Sequence, residues 1–187
     1  MKNEIINYYP TSQKKILKII TEKTKTNEIF YQKHMTHHII KNTRLDWLNK
    51  GHNCFLIRHP AKVINSYIKK NSLMSIDDVG FTKQYEIFNK LKKNKINYTV
   101  INADMILKDP SKTIKKLCKI LKIKFTKKML NWPKGKRSSD GIWSKVWYKN
   151  VELSNSFSKF KKENYNVPKK YNNIYEESLN YYNEMYD

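Results

Sequence analysis

The sequence predicts an α/β fold in which a parallel sheet is flanked by helices, and three observations carry that expectation. Two short apolar runs, 53–58 (NCFLIR) and 98–103 (YTVINA), have the length and residue types of buried parallel strands. A helix-start signal follows each: Pro60 after the first, Asp109–Pro110 soon after the second. Between and around them lie stretches with a 3.6-residue apolar period, so strands alternate with helices as in βαβ units.

Taken in order, residues 11–23 read as an amphipathic helix capped by Thr11 or Ser12, with Ile16, Leu17, Ile19 and Ile20 as its apolar stripe. Residues 28–35 (EIFYQKHM) read as a short strand, and 43–49 as a short helix capped by Thr43 and ending near Gly51. The run 53–58 is a strand, 60–70 a helix with Pro60 in its first turn, 80–93 an amphipathic helix and 98–103 a third strand. Residues 110–122 form a helix capped by Asp109. Residues 126–150 are loop-rich and hold two of the four glycines, and 151–162 and 172–186 read as helices. No repeat or linker is evident, so residues 1–187 are expected to form a single domain.

The composition narrows the function classes. Aromatics at 13% and hydrophobics at 39% indicate a folded chain, and no apolar run approaches the ~18–20 residues of a membrane span. The start of the chain lacks the pattern of a secretory signal, and Cys54 and Cys118 stand far apart, so a cytoplasmic setting is expected. The net charge of +22 admits a basic nucleic-acid-binding protein. The lysines are spread through every segment, however, which fits a lysine-rich composition better than a specific nucleic-acid surface. Of 38 basic residues only Arg44, Arg58 and Arg137 are arginine, the residue whose planar fork suits bidentate contact with phosphate.

In an open parallel sheet ligands sit at the carboxyl ends of the strands. The first run delivers Arg58 there, and the helix after it carries Ser66. A phosphate held by Arg58, Ser66 and the free N–H groups of the helix start is one reading; a capping or ion-pairing role for Arg58 is the other. Asp104 reads as a strand-end residue that orders the next turn. The stretch KGKRSSDGIWSKVWY is a basic loop with Trp132, Trp143 and Trp147 as packing anchors around it. Lys33, His34, His37 and His38 crowd the segment 33–38, which suits proton transfer near neutral pH. With no acidic or thiol residue nearby it is a poor metal site, and none is expected.

These segments resemble the sulfotransferases that use 3′-phosphoadenosine 5′-phosphosulfate. Arg58, the following Pro60 helix and Ser66, eight residues after Arg58, are similar to that family's 3′-phosphate segment. NADMILKDPSKTIKKLCKILKIKF is similar to its strand, acidic residue and "DP" helix. Lys136, Arg137 and Ser138, followed by Gly141 and Trp143, are similar to its late phosphate-wrapping loop, with the basic pair reversed and Ser in place of the first Gly. KHMTHHII, FLIRHPAKVINSY, DDVGFTKQYEIFNKL and WPKGKRSSDGIWSKVWY together resemble a bacterial sulfotransferase-like subfamily associated with branched-chain aminotransferase names; no lysine context for pyridoxal phosphate accompanies them. The resemblance covers residues 29–157 and implies a P-loop NTPase-like sulfotransferase fold. It implies Arg58, Ser66, Lys136, Arg137 and Ser138 as donor-binding residues. It also implies Lys33 and a histidine as the transfer groups. Met35 occupies the matching histidine position, leaving His37 first and His38 second as the base.

The family's Gly-rich loop for the 5′-phosphosulfate has no counterpart, since no glycine precedes Gly51. The fold is therefore expected to be N-terminally incomplete. A fragment, a degenerate homologue that keeps nucleotide affinity, and a sheet completed by a second chain are the three explanations. The function expected is sulfuryl transfer to a hydroxyl or amine acceptor, a small molecule or saccharide. A non-catalytic nucleotide-binding or partner-docking remnant stands as the alternative. The tyrosines Tyr165, Tyr171, Tyr175, Tyr181, Tyr182 and Tyr186 near the C-terminus could line an acceptor pocket or simply pack.

Overall fold

The computed structural model describes residues 2–22, 28–162 and 165–186. The chain divides into two compact units, Met1–Glu22 with Met105–Phe160, and Lys23–Asp104 with Lys161–Asp187. No linker composition marks the division, and the second unit is closed by a segment that returns from the far end of the chain.

That second unit holds the sheet. Strand β1 (Asn53–Ile57) pairs in parallel with β2 (Tyr98–Asn102), in a register that runs from Asn53 opposite Tyr98 to Ile57 opposite Asn102. Phe55 and Ile57 point into the core, whereas Leu56 between them is 58% exposed, the alternation that a pleated strand imposes. Helix α3 (Pro60–Tyr67) follows β1 directly, and α4 (Phe81–Lys93) returns the chain to β2. Phe88 of α4 meets Phe55 and Tyr98 edge-to-face at 5.9 and 5.2 Å, and Ile87 and Leu91 complete its buried face. The helix Asn172–Tyr186 contributes Met185 to the same core, together with Leu48.

Because α4 runs antiparallel to the strands, its first turn lies at their carboxyl end. The Gln84 side chain donates to the Leu56 carbonyl there at 3.2 Å. That bond also occupies a backbone acceptor on an edge of the sheet. Gly80, at φ 74°, ends the 3-10 turn Ile76–Val79 and starts α4. A Cβ at Gly80 would stand 2.7 Å from Thr36 Oγ1, so the close approach of the 36–38 segment requires glycine.

The other unit contains α1 (Lys2–Tyr8), α2 (Gln13–Ile20), α6 (Pro110–Ile120), α7 (Ser144–Trp147) and α8 (Lys149–Leu153). Asp109 caps α6 as expected, its Oδ1 accepting from the Lys112 N–H at 2.9 Å. Helix α5 (Ala103–Lys108) carries the chain out of β2.

Several expectations are corrected. Residues 28–35 form no strand: Ile29, Phe30 and Tyr31 are exposed, Tyr31 by 80%, and no ladder pairs them. An apolar run without a neighbouring strand has nothing to bond. The helix expected at 43–49 is a 3-10 turn, Asp46–Lys50, with no side-chain cap from Thr43. The helix expected to 70 stops at Tyr67. The helix expected at 151–162 ends at Leu153, because the Asn155 carbonyl accepts the Trp132 N–H at 2.9 Å and Ser156 bridges Asn131. Helices α1, α5 and α7 were not anticipated from the sequence.

Candidate functional site

The carboxyl ends of β1 and β2 lie side by side, and both deliver polar side chains. Arg58 leaves β1 exposed, with no hydrogen bond or ion pair among the described residues. The other two arginines are engaged: Arg44 with Asp46 at 2.8 Å, and Arg137 with the Pro133 carbonyl at 3.3 Å. Arg58 is thus the arginine whose fork remains available within the described structure. Ser66 sits in the last turn of α3, exposed, about 9 Å along the helix axis from Pro60.

A buried ion pair ties the first turn of α3 to the start of α5, just past the two strand ends. Lys62 Nζ reaches both carboxylate oxygens of Asp104 at 2.9 Å, with the side chains only 5% and 14% exposed. Asn102 fixes the acidic partner: its Oδ1 accepts from the Asp104 N–H at 2.8 Å, and its Nδ2 donates to Tyr182 Oη at 2.7 Å. The Asp104 carboxylate holds the first turn of α3 through Lys62, and the side chain that bonds the turn out of β2 is that of Asn102.

His59 caps α3. Its Nδ1 accepts from the Ala61 N–H at 3.3 Å, and its ring stacks on Tyr165 with centroids 3.8 Å apart and planes 13° from parallel. Tyr182 and Tyr175 stand 5.6 and 6.2 Å away. Burial pushes the His59 pKa below its ordinary value; Asp104 opposes that shift and Lys62 adds to it. The segment carrying Tyr165 lies along one face of α3: Lys62 Nζ is 5.6 Å from the Tyr165 ring centre, and Asn65 Nδ2 donates to the Asn166 carbonyl at 2.8 Å.

One sequence expectation fails here. The N–H groups at the start of α3 are not free for an anion. Proline contributes none, Ala61 bonds the His59 ring, and Lys62 and Val63 bond the His59 carbonyl at 2.9 and 3.3 Å.

The histidine segment approaches the same end of the sheet. Thr36–His38 forms a 3-10 turn, and Thr36 Oγ1 donates to the Gly80 carbonyl at 3.0 Å, at the start of α4. Lys33, His37 and His38 are exposed. The His37 and His38 rings meet edge-on at 4.2 Å. The His37 pKa is lowered by burial and then by the His38 charge, with Asp78 working the other way, so His37 is neutral near pH 7. His34 instead packs on Trp47 and bonds Gln32. The expected strand end at Lys33 is absent; Met35 stands just before the turn, 45% exposed.

Lys136, Arg137 and Ser138 belong to the other unit, exposed in a turn closed by Asp140, which accepts from the Arg137 N–H at 3.0 Å. Trp143 packs over Gly141 and against Tyr9 at 5.2 Å, a packing role.

His59, Lys62 and Asn102 were not singled out in the sequence, and Tyr165 stood there only as one of six tyrosines that line an acceptor pocket or pack. The available signal was a lysine set among Pro60, Ala61, Val63 and Ile64 in the first turn of a helix, a position that demands a carboxylate partner.

Comparison with known proteins adds the following. A family model described as "Sulfotransferase domain" matches residues 1–187. Two proteins of Arabidopsis thaliana, named branched-chain-amino-acid aminotransferase-like proteins 1 and 2, are 28% and 26% identical over 182 residues each. These alignments take in 97% of the chain and 33% and 32% of the relatives, so the chain spans about a third of their length. No solved structure matches.

Proposed function

We propose that this chain, which belongs to the sulfotransferase domain family, transfers a sulfuryl group from 3′-phosphoadenosine 5′-phosphosulfate to a hydroxyl or amine acceptor. Arg58 and Ser66 hold the 3′-phosphate, Arg58 through its forked donors and Ser66 through one hydroxyl bond. His37 takes the acceptor proton as the acceptor oxygen or nitrogen bonds to sulfur, with His38 in reserve. The bond from sulfur to the bridging oxygen breaks, and Lys33 meets the charge left on the departing phosphate. Lys136, Arg137 and Ser138 are assigned to the donor on the sequence resemblance alone. A P-loop NTPase-like arrangement goes with this reading.

The observation that supports it best, beside family membership, is Arg58 at the carboxyl end of a parallel pair, exposed and without a hydrogen-bond or ion-pair partner among the described residues. Calorimetric titration with 3′-phosphoadenosine 5′-phosphate, with adenosine 5′-monophosphate as control, tests it. Binding that needs the 3′-phosphate, and that falls at least tenfold in Arg58→Ala, is expected. Equal affinity for both nucleotides, or an unchanged Arg58→Ala, removes the assignment.

A second reading, nucleotide binding without turnover, is favoured by Met35 at the position where the family pattern has histidine. It predicts the same titration and no sulfated product.

A further inference from the structure

The phosphate assignment leaves a charge unaccounted for on the first two turns of α3, and the inference that follows rests on that assignment. A phosphate monoester carries close to two negative charges near neutral pH. Arg58 offers one positive charge. Lys62 offers no net charge, because Asp104 neutralises it through both oxygens at 2.9 Å. The backbone donors at the helix start are engaged by the His59 ring and carbonyl. The group on this face that can still change its charge is His59.

Its placement suits that task. His59 follows Arg58 directly, a Cα step of about 3.8 Å. It precedes Ser66 by seven positions, two helical turns, and so shares the face of α3 that carries Ser66. The ring is hemmed by Tyr165, Tyr175 and Tyr182, with Asp104 favouring its charged form and Lys62 disfavouring it; Arg58, next in sequence, also carries a like charge. While Nδ1 accepts from the Ala61 N–H it carries no proton, and the neutral ring keeps its hydrogen on Nε2. An imidazolium has no lone pair to accept with, so protonation must break that cap and free the Ala61 N–H.

We infer that His59 is a specificity-determining residue of the phosphate site: neutral while it caps α3, and protonated when a phosphate dianion lies against Arg58 and Ser66. The anion then gains the imidazolium charge and the released N–H together. A doubly charged monoester draws that proton more strongly than a singly charged sulfate or phosphodiester does, so the device selects the 3′-phosphate class of ligand.

The experiment is titration of 3′-phosphoadenosine 5′-phosphate at pH 7.5 in buffers of different ionisation enthalpy, on the whole chain and on His59→Asn. Asparagine keeps a side-chain cap for α3 but does not titrate. The intact chain is expected to take up a proton on binding and to lose affinity by up to about tenfold per pH unit as pH rises. His59→Asn is expected to bind about tenfold more weakly, with no proton uptake. The ligand's own phosphate shifts the balance the other way, since a cationic site makes it release a proton. Binding that depends on the 3′-phosphate but takes up no proton, or that takes up the same proton in His59→Asn, overturns this inference and leaves the phosphate site standing. Failure of the intact chain to prefer the 3′-phosphate overturns the site assignment and this inference with it.

Discussion

The α3 start and the histidine turn are held in different ways, although both lie at the carboxyl end of the strand pair. Around α3, Lys62 and Asp104 are linked to Asn102, Tyr182, Tyr165 and His59 in a continuous network of short bonds and stacked rings. The Thr36–His38 turn rests on one side-chain bond to Gly80 and on the absence of a side chain there. In the proposed enzyme the first region binds and the second reacts. A binding site gains from being over-determined, because preorganised donors lose little freedom when the ligand arrives. A transfer segment that must meet an acceptor has reason to remain adjustable.

The largest test of that contrast is Lys62→Met. It leaves the Asp104 carboxylate buried without its partner, and removing one member of a buried pair costs about 3–5 kcal/mol. Urea unfolding is expected to show a loss of that size. The double change Lys62→Met with Asp104→Leu should recover most of it, since a well-packed apolar pair avoids the desolvation cost. A loss below ~1 kcal/mol in the single variant would mean that the network does not hold the strand ends together.

Gly80→Ala comes next. A methyl group at φ 74° is strained by about 1–2 kcal/mol, and it would also press on Thr36 Oγ1. Unfolding measurements should show that loss. Sulfuryl transfer is expected to fall further than nucleotide affinity does, because the displaced turn carries His37 while Arg58 and Ser66 stay where they are. Equal losses in both would erase the distinction between the regions. Thr36→Val, which removes only the bond to the Gly80 carbonyl, should cost about 1 kcal/mol and act in the same direction.

What the sequence disclosed divides along the same line. Strands 53–57 and 98–102 were legible because a continuous apolar run followed by Pro60, or by the Asp109–Pro110 signal, has few other readings. Arg58 was legible as a strand-end group for the same reason. The Lys62–Asp104 pair was not, since its members stand 42 residues apart and only the parallel register brings them together. His59, lying between an arginine and a proline, reads locally as loop; its cap is a bond to Ala61 two residues on, and its stack depends on Tyr165, from a segment that returns a hundred residues later. The strand expected at 28–35 failed for a related reason. Its apolar and aromatic residues fit a strand, but strand formation is settled by the neighbour, and none is beside it in the described structure. Nor did composition reveal the two units, because the division falls inside α5 rather than in a polar linker.

The smallest effect expected is also the one that separates the two regions by sign. His37 acts as a base only when neutral, so the rate of transfer at saturating donor should rise with pH through the His37 pKa and then level off. Burial and the His38 charge hold that pKa below 6.5, with Asp78 only partly offsetting them. At pH 7 the base is therefore already mostly neutral, and the rate should change by less than about twofold between pH 7 and 8. Below the His37 pKa the fall should approach about tenfold per unit, and His37→Asn should abolish that limb together with most of the rate. Nucleotide affinity, if His59 charges on binding, should run the opposite way and weaken as pH rises over the same interval. Rate and affinity profiles that slope in the same direction above pH 7 would show that one titrating group governs both, and the assignment of binding to the α3 network and of proton transfer to the histidine turn would fail.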